Sequence, residues 1–187
     1  MTENTVALDA DAIARTLTRI AHEIAEQTAA DGAPLAIVGI HRRGAVLARR
    51  IHAMLAELLG RAPLLGDIDI AFYRDDVGTR SEQPVVGASN IGFEVDGATI
   101  VLVDDVLYTG RTVRAAIEVL FDYGRPGRVR LAVLADRGHR ELPLRPDFVG
   151  KNLPTSRSES VRVRVEEIDG VEDVRIIAAT PTEGAAA

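Results

Sequence analysis

No cysteine occurs anywhere in the 187 residues, which excludes disulfides and thiolate metal sites and fits a reducing cytoplasm. Lysine is nearly as scarce. Lys151 is the only one, so the basic side chains other than histidine are almost all arginine. Arginine's planar donor fork suits phosphate and guanine edges, yet the bias reads first as genomic base composition. Long hydrophobic runs are missing too: no stretch approaches the roughly 18 uninterrupted apolar residues of a membrane span. The N-terminus, MTENTVALDADAIARTL, carries early acids and no unbroken apolar core, unlike a signal peptide. These absences predict a soluble cytoplasmic protein with no membrane partner. A net charge of −6 argues against indiscriminate coating of nucleic acid but leaves room for a local basic face.

What is present is an ordinary globular composition, 47% apolar and 27% charged, in a length that fits one domain over residues 1–187. Ile13, Leu17, Ile20 and Ile24 recur at helical spacing and predict a helix over Asp9 to Thr28. Asp31-Gly32-Ala33-Pro34 ends it. Leu35 to Ile40 is a buried-strand run, Gly39 to Gly44 a loop, and Ala45 to Leu59 a second helix with Leu47, Ile51, Met54, Leu55 and Leu58 inward. Further strands are expected at Ile68 to Tyr73, Ala98 to Val103 and Val129 to Ala135, with a helix at Thr112 to Tyr123. Alternating strands and helices indicate βαβ units: an α/β fold with a central, mainly parallel sheet flanked by helices. The polar segment Arg74 to Asn90 reads as a long cover loop, within a flexible hood of about residues 68–95. From Asp136 the chain turns rich in Pro, Gly and charge. Strands are expected again at Val161 to Val165 and Val174 to Ala178, and residues 180–187 read as a frayed tail.

The informative unit is VLVDDVLYTGRT, Val101 to Thr112: buried strand, two acids, a short loop, then a helix. A loop at the C-terminal end of a parallel strand lies where open α/β sheets bind ligands. The helix N-terminus turns its unsatisfied amides toward that loop. Those amides, with the Thr109 and Thr112 hydroxyls, can surround a phosphate dianion, and Gly110 permits close approach. The acids repel phosphate but accept hydrogen bonds from paired sugar hydroxyls. Together they imply a ribose 5-phosphate ligand.

The string resembles the phosphoribosyl pyrophosphate motif of type I phosphoribosyltransferases. By that resemblance Asp104 and Asp105 hold the ribose hydroxyls, while Val106, Leu107, Tyr108, Thr109, Gly110, Arg111 and Thr112 hold the 5-phosphate. Gly39-Ile40-His41-Arg42-Arg43-Gly44 alone reads as a helix-capping loop with solvated arginines; beside the first loop it becomes a candidate pyrophosphate loop, with Arg42 and Arg43 facing leaving-group charge. Arg74 and Arg80 are further pyrophosphate candidates, on a segment whose closure would exclude water. The implied chemistry is displacement of pyrophosphate by a nucleobase nitrogen at ribose C1. Carboxylates favour positive charge at the sugar, and Mg²⁺ and arginine meet the leaving group. No carboxylate cage for magnesium is evident, so the ion rides mainly on the substrate's oxygens. Asp104 and Asp105 are the catalytic candidates, with Asp105 preferred for acid or base assistance.

Two further strings, DRGHRELP from Asp136 and VGKNLPTS from Val149, follow in order. With LVDDVLYTGRT they resemble the bifunctional pyrimidine operon regulators with uracil phosphoribosyltransferase activity, over roughly Asp9 to Ile177. The resemblance implies formation of uridine monophosphate (UMP) and diphosphate from uracil and phosphoribosyl pyrophosphate. It also implies binding of pyrimidine operon leader mRNA when UMP or UTP is abundant, lowering expression by transcription attenuation, and a homo-oligomer. It further implicates Thr18, Arg19, His22, His139, Arg140 and Arg145 in RNA contact. Arg15, Arg19 and His22 do share one helix stripe by spacing. By charge alone both basic groups also read as solvated surface, and neither is interleaved with aromatics. One departure from the family pattern is Arg42-Arg43-Gly44 in place of Thr-Arg-Gly. Arg137 and Val161 are candidates for the base pocket. The residues themselves do not separate a uracil pocket from a purine pocket, so a salvage enzyme for another base without an RNA role stands as the alternative.

Overall fold

A computed structural model describes residues 5–30, 32–71 and 89–178. Chain order is β1 (Thr5–Asp9), α1 (Ala10–Thr28), β2 (Leu35–Ile40), α2 (Arg43–Leu59), β3 (Leu64–Ile68), β4 (Thr99–Leu107), α3 (Arg111–Asp122), β5 (Arg128–Asp136), β6 (Phe148–Asn152), β7 (Ser160–Arg164), α4 (Glu166–Asp169) and β8 (Asp173–Ile177). The helix predicted from Asp9 starts one residue later because Asp9 is its N-cap, its side chain accepting the Ala12 amide at 2.8 Å.

A five-stranded parallel sheet of order β3-β2-β4-β5-β6 forms the centre. Alternate residues of its strands serve opposite faces. Ile37, Val101, Val103 and Leu134 pack with α1 and α2, whereas Val38, Ile100, Leu102 and Val133 pack with α3. Burial on both faces explains why these strands read as continuous apolar runs. The chain steps outward from β2 to β3, then back across β2 to β4, then outward again through β5 and β6. The order therefore reverses between β2 and β4, and the loops leaving those two strands diverge to open a crevice.

Several expected boundaries move. The strand expected at Ile68 to Tyr73 instead ends at Ile68, because β2, with which it forms its parallel ladder, ends at Ile40 directly opposite. Strand β4 runs past Val103 to Leu107, since β5 keeps pairing with it as far as Leu107↔Asp136. The acid pair thus lies on the strand rather than after it. Helix α3 starts at Arg111 rather than Thr112. Strand β6, unanticipated inside the Pro/Gly-rich stretch, pairs parallel with β5 and buries Phe148 completely. At the end of α2, Leu59 rather than Leu58 packs on the core, and Leu58 is exposed. Of the expected hood, residues 72–88 lie outside the described residues, as do Arg74, Arg80 and the tail from 180.

A second, antiparallel sheet of order β1-β8-β7 includes β1, which the sequence reading did not foresee. Leu8, Val163, Val165 and Val174 join it to the α1/α2 side of the core. Ion pairs fasten it further: Arg43 to Asp169 at 2.7 Å, Arg50 to Glu167 at 2.7 Å and to Glu172. Within it, Asp173 accepts from both Arg164 and Arg175.

The Arg164 guanidinium, with help from Arg175, holds the Asp173 carboxyl down to about 2, from a usual 3.8. A depressed carboxylate pKa contributes stability that is full above the unfolded value and is lost as pH falls through the folded one. Thermal melts should therefore show an extra loss of stability between about pH 4 and pH 2. Asp173→Asn should remove that limb and lower Tm at neutral pH by about 2–4 °C, the shift of ~1 kcal/mol in a chain of this size. Identical acid limbs in the two proteins would show that the pair contributes nothing.

Candidate active site

The crevice is built on a contact that tolerates no side chain. A Cβ at Gly44 would lie 2.4 Å from the Val103 carbonyl oxygen and 3.2 Å from the Asp104 Cα, and one at Gly39 would lie 2.3 Å from the Ala45 Cα. The loop between β2 and α2 consequently rests directly on the strand that carries the acids. Its residue His41, joined to Arg42 by a cis peptide, donates its amide to the Ile68 carbonyl at 2.9 Å. The His41 ring contacts Asp67 and lies 3.8 Å from an Asp69 carboxylate oxygen. This His41–Asp67–Asp69 group was not singled out from sequence. Its only signal there is the alternation of acids in Gly66-Asp67-Ile68-Asp69 after an apolar run.

Asp104 is buried, and its Oδ1 accepts the Asp105 amide at 2.9 Å; the Asp105 Oδ1 accepts the Val106 amide at 2.8 Å. Burial among protein atoms pushes the Asp105 carboxyl above its usual 3.8, opposed by hydrogen bonding from Asp104 and the Val106 amide and by the charge of Arg43. Beyond the acids, Val106 packs on one core face and Leu107 is buried in the other. The loop proper is Tyr108-Thr109-Gly110. Gly110 takes φ +95°, a left-handed conformation suited to glycine. It caps α3, whose first helical bond runs from the Arg114 amide to the Gly110 carbonyl at 3.0 Å. The Thr109 hydroxyl accepts the Arg111 amide at 3.4 Å, and Thr112 is half-buried in the first turn.

The two arginines of the β2–α2 loop part company. Arg42 is exposed, whereas Arg43 donates to Asp169 through Nε at 3.1 Å and Nη2 at 2.7 Å, and that bond raises its pKa. Arg137, at the end of β5, is buried. It lies 4.0 Å over the Tyr108 ring and donates to the Glu159 carbonyl at 2.8 Å, the Thr155 hydroxyl at 3.3 Å and the Ser156 carbonyl at 3.4 Å. It fixes the approach to β7. Val161, on β7, is partly buried and packs against the core.

The two basic groups meet at β6. Arg19 bonds Glu23 and donates to the Val149 and Gly150 carbonyls at 2.9 and 2.7 Å. Val149 also lines a cleft of about 1080 Å³ with Arg137, His139, Arg140, Leu144 and Arg145. His22 is exposed on α1, and the Thr18 hydroxyl bonds its own helix at the Ala14 carbonyl, 3.0 Å away. His139 contacts the Thr155 carbonyl at 2.6 Å and meets the Tyr108 ring edge-on. Arg145 is exposed.

Comparison with known proteins fits this geometry. The model of the phosphoribosyl transferase domain matches residues 6–167. The bifunctional protein PyrR of Roseiflexus sp. (strain RS-1) is 58% identical over 178 residues, covering 95% of this chain and 97% of the relative. That of Pelotomaculum thermopropionicum is 55% identical over 170 residues, 91% of this chain and 93% of the relative. Among solved structures, the hypoxanthine phosphoribosyltransferase of Trypanosoma cruzi superposes with a TM-score of 0.70 over 94% of this chain and 97% of its own, at 16% identity. That likeness shows the type I phosphoribosyltransferase fold and no more. The chain therefore belongs to the phosphoribosyl transferase domain family and, within it, to the bifunctional PyrR proteins.

Proposed function

We propose that this chain transfers the phosphoribosyl group of phosphoribosyl pyrophosphate to uracil, and that it binds pyrimidine operon leader mRNA in response to uridine nucleotides. The observation that carries the first half is the juxtaposition at the end of β4. Two adjacent carboxylates near the end of β4 lead, through a short loop, into a left-handed glycine and the amides of a helix N-terminus. In the reaction, the bond from ribose C1 to the pyrophosphate oxygen breaks as the uracil N1 bond to C1 forms. The carboxylates of Asp104 and Asp105 accept the ribose hydroxyls and favour the positive charge that develops on the sugar. The amides of residues 108–112, with the Thr109 and Thr112 hydroxyls, hold the 5-phosphate. Asp105 takes the proton released from uracil N1, a role its raised pKa suits.

Arg42, with Arg74 and Arg80 from the segment outside the described residues, meets the departing pyrophosphate. Arg43 acts from its bond to Asp169. Type I phosphoribosyltransferases work with Mg²⁺ and phosphoribosyl pyrophosphate. Among the described residues no group of three or more His, Cys, Asp or Glu could hold a metal. The ion would be carried chiefly on substrate oxygens, with at most Asp104 and Asp105 from the protein, where it would neutralise leaving-group charge. Arg137 frames the base pocket by fixing residues 155–159, and Val161 supports it from the core.

Base choice and the RNA role rest on kinship. The bifunctional relatives reach 58% identity, whereas the hypoxanthine enzymes, at 16–19%, share only architecture. A purine salvage function is not favoured. The RNA surface we propose is formed by Thr18, Arg19, His22, His139 and Arg145, with Arg140 in the same loop. It draws support from the Arg19 bond to the Val149 carbonyl on β6 and from the cleft that Val149 shares with His139, Arg140 and Arg145. Among the described residues no helix is long and apolar enough to cross a membrane, and we place the protein in the cytoplasm as a homo-oligomer.

The base panel is the first test: UMP should form from uracil with Mg²⁺ and phosphoribosyl pyrophosphate, and a chain that turns over only purines would sink the reading. Asp105→Asn should lower kcat by about 100-fold, within the usual range for a lost general acid or base. In the parent, kcat/KM should fall with decreasing pH around a midpoint above 3.8, because the base must be unprotonated, and the variant should lack that limb. A second readout concerns stability. A raised carboxyl pKa favours the fold at low pH and costs stability as pH rises through it, so Asp105→Asn should melt higher than the parent at pH 7 and match it below the usual 3.8. For the RNA half, a gel shift with leader RNA should tighten when UMP is added, and Arg19→Ala with Arg145→Ala should weaken it at least tenfold. Undiminished affinity would remove that surface.

A further inference from the structure

The carbonyl groups of the loop after β4 point at the loop after β5. The Leu107 carbonyl accepts the Arg137 amide at 3.1 Å, and the Thr109 carbonyl accepts the amides of both Glu141 and Leu142, at 3.0 and 3.1 Å. The Tyr108 carbonyl accepts Arg140 Nη1 at 2.8 Å. Side chains reinforce the join: Arg111 Nε donates to Glu141 at 3.0 Å, and a Cβ on Gly110 would touch Leu144 at 3.2 Å and Leu142 at 3.4 Å.

A trans peptide plane directs its C=O and its N–H to opposite sides. The planes whose carbonyls at 107, 108 and 109 face the β5–β6 loop therefore direct the amides of Tyr108, Thr109 and Gly110 away from it, toward the crevice. One set of peptide units faces the ligand phosphate with its donors and the basic loop with its acceptors. An amide that donates to a phosphate dianion polarises its own carbonyl and strengthens the bond that carbonyl accepts.

Arg140 is committed to this junction. Its Nε donates to the Leu144 carbonyl at 3.1 Å, its Nη1 to the Tyr108 and Gly138 carbonyls at 2.8 and 3.3 Å, and its Nη2 to the Asp136 carboxylate at 2.5 Å. Four of the five guanidinium N–H groups are thus in use within the protein. Exposed Arg145, on the same loop, is the arginine turned to solvent.

Resting on the function proposed above, we infer that Arg140 is a positioning residue and not an RNA contact. It fastens the loop of residues 137–146 to the phosphate-binding peptides, so that a nucleotide 5′-phosphate orders the loop that presents His139 and Arg145 to RNA. RNA then meets a surface whose conformational freedom is already lost, and affinity rises.

The test measures leader-RNA affinity across a salt series, with and without UMP, for the parent, Arg140→Gln and Arg145→Gln. The parent should bind roughly 5–150-fold tighter with UMP, the usual span of such coupling. Arg145→Gln should weaken binding equally in both conditions and reduce the slope of log K against log salt by about 0.7–0.9, one phosphate contact. Arg140→Gln should keep the parent's salt slope while its UMP effect shrinks to within about twofold of none, against that usual coupling. A lost salt increment with an intact UMP effect in Arg140→Gln would make it an ordinary phosphate contact and overturn the inference.

Hydrogen exchange reads the junction without RNA. UMP should slow exchange at the Glu141 and Leu142 amides and uridine should not, because the phosphate is the trigger. Unchanged exchange at saturating UMP overturns the inference. A chain that binds UMP with slowed exchange but never binds RNA supports the junction and overturns the RNA function instead.

Discussion

The approach of a helix N-terminus onto the backbone of β4 sets the whole site. With only a hydrogen on Gly44, α2 begins against the Val103 carbonyl and the Asp104 Cα. That seating brings Arg43 within electrostatic reach of Asp105 and puts the positive end of the α2 dipole beside two carboxylates. Without it, an aspartate pair deep in a parallel sheet would be costly to ionise. With it, Asp104 stays buried and Asp105 is held in an environment that raises its pKa only against opposing contributions. The β2–α2 loop and the acids are therefore one construction. The second sheet belongs to it as well, because Asp169 holds Arg43 from the helix that follows β7.

Much of this frame is legible in the residues. Leu35 to Ile40, the helix from Asp9 and the helix after Gly110 follow from apolar spacing and from a capping aspartate, all local signals. The acid pair and TGRT loop are likewise contiguous, so their chemistry can be read without a structure. What escapes is non-local. Strand β6 hides between Pro146 and Pro154 with Lys151 and Asn152 outward, and only pairing with β5 makes it a strand. Strand β3 stops where β2 stops, which no property of Ile68 to Tyr73 announces. The Arg43–Asp169 bond spans 126 positions and the Arg19 bond to Gly150 spans 131.

Composition likewise cannot say what the arginines do, and the fold sorts them by task. Arg43, Arg50 and Arg164 fasten the second sheet through carboxylates. Arg137 and Arg140 satisfy backbone carbonyls around the β5–β6 loop. Arg42, Arg15 and Arg145 remain exposed. In a chain of net charge −6, an anionic polymer must be met by a few well-placed cations rather than by a general field. Selectivity for one RNA then falls to shape and base edges, since phosphate contacts position without specifying. The proposed RNA surface, where Arg19 of α1 and the β5–β6 loop both reach the edge strand β6, would be localised in this way.

Catalysis and regulation place opposite demands on a phosphate site: an enzyme must let its product go, while a sensor must register it. The peptide planes of residues 107–110 reconcile the two because they need no second ligand site. Their amides can release UMP after each turnover, while their carbonyls report the time-averaged occupancy to a loop outside the crevice. The report is an equilibrium quantity. It therefore tracks nucleotide concentration whether that nucleotide was made in this crevice or elsewhere. Linkage makes the coupling reciprocal, so RNA held on the basic surface must retain UMP in the crevice by the same factor. A bound RNA thus raises the equilibrium occupancy of UMP in the crevice, and in the chain engaged in regulation the nucleotide competes more strongly with incoming phosphoribosyl pyrophosphate for the same peptide planes.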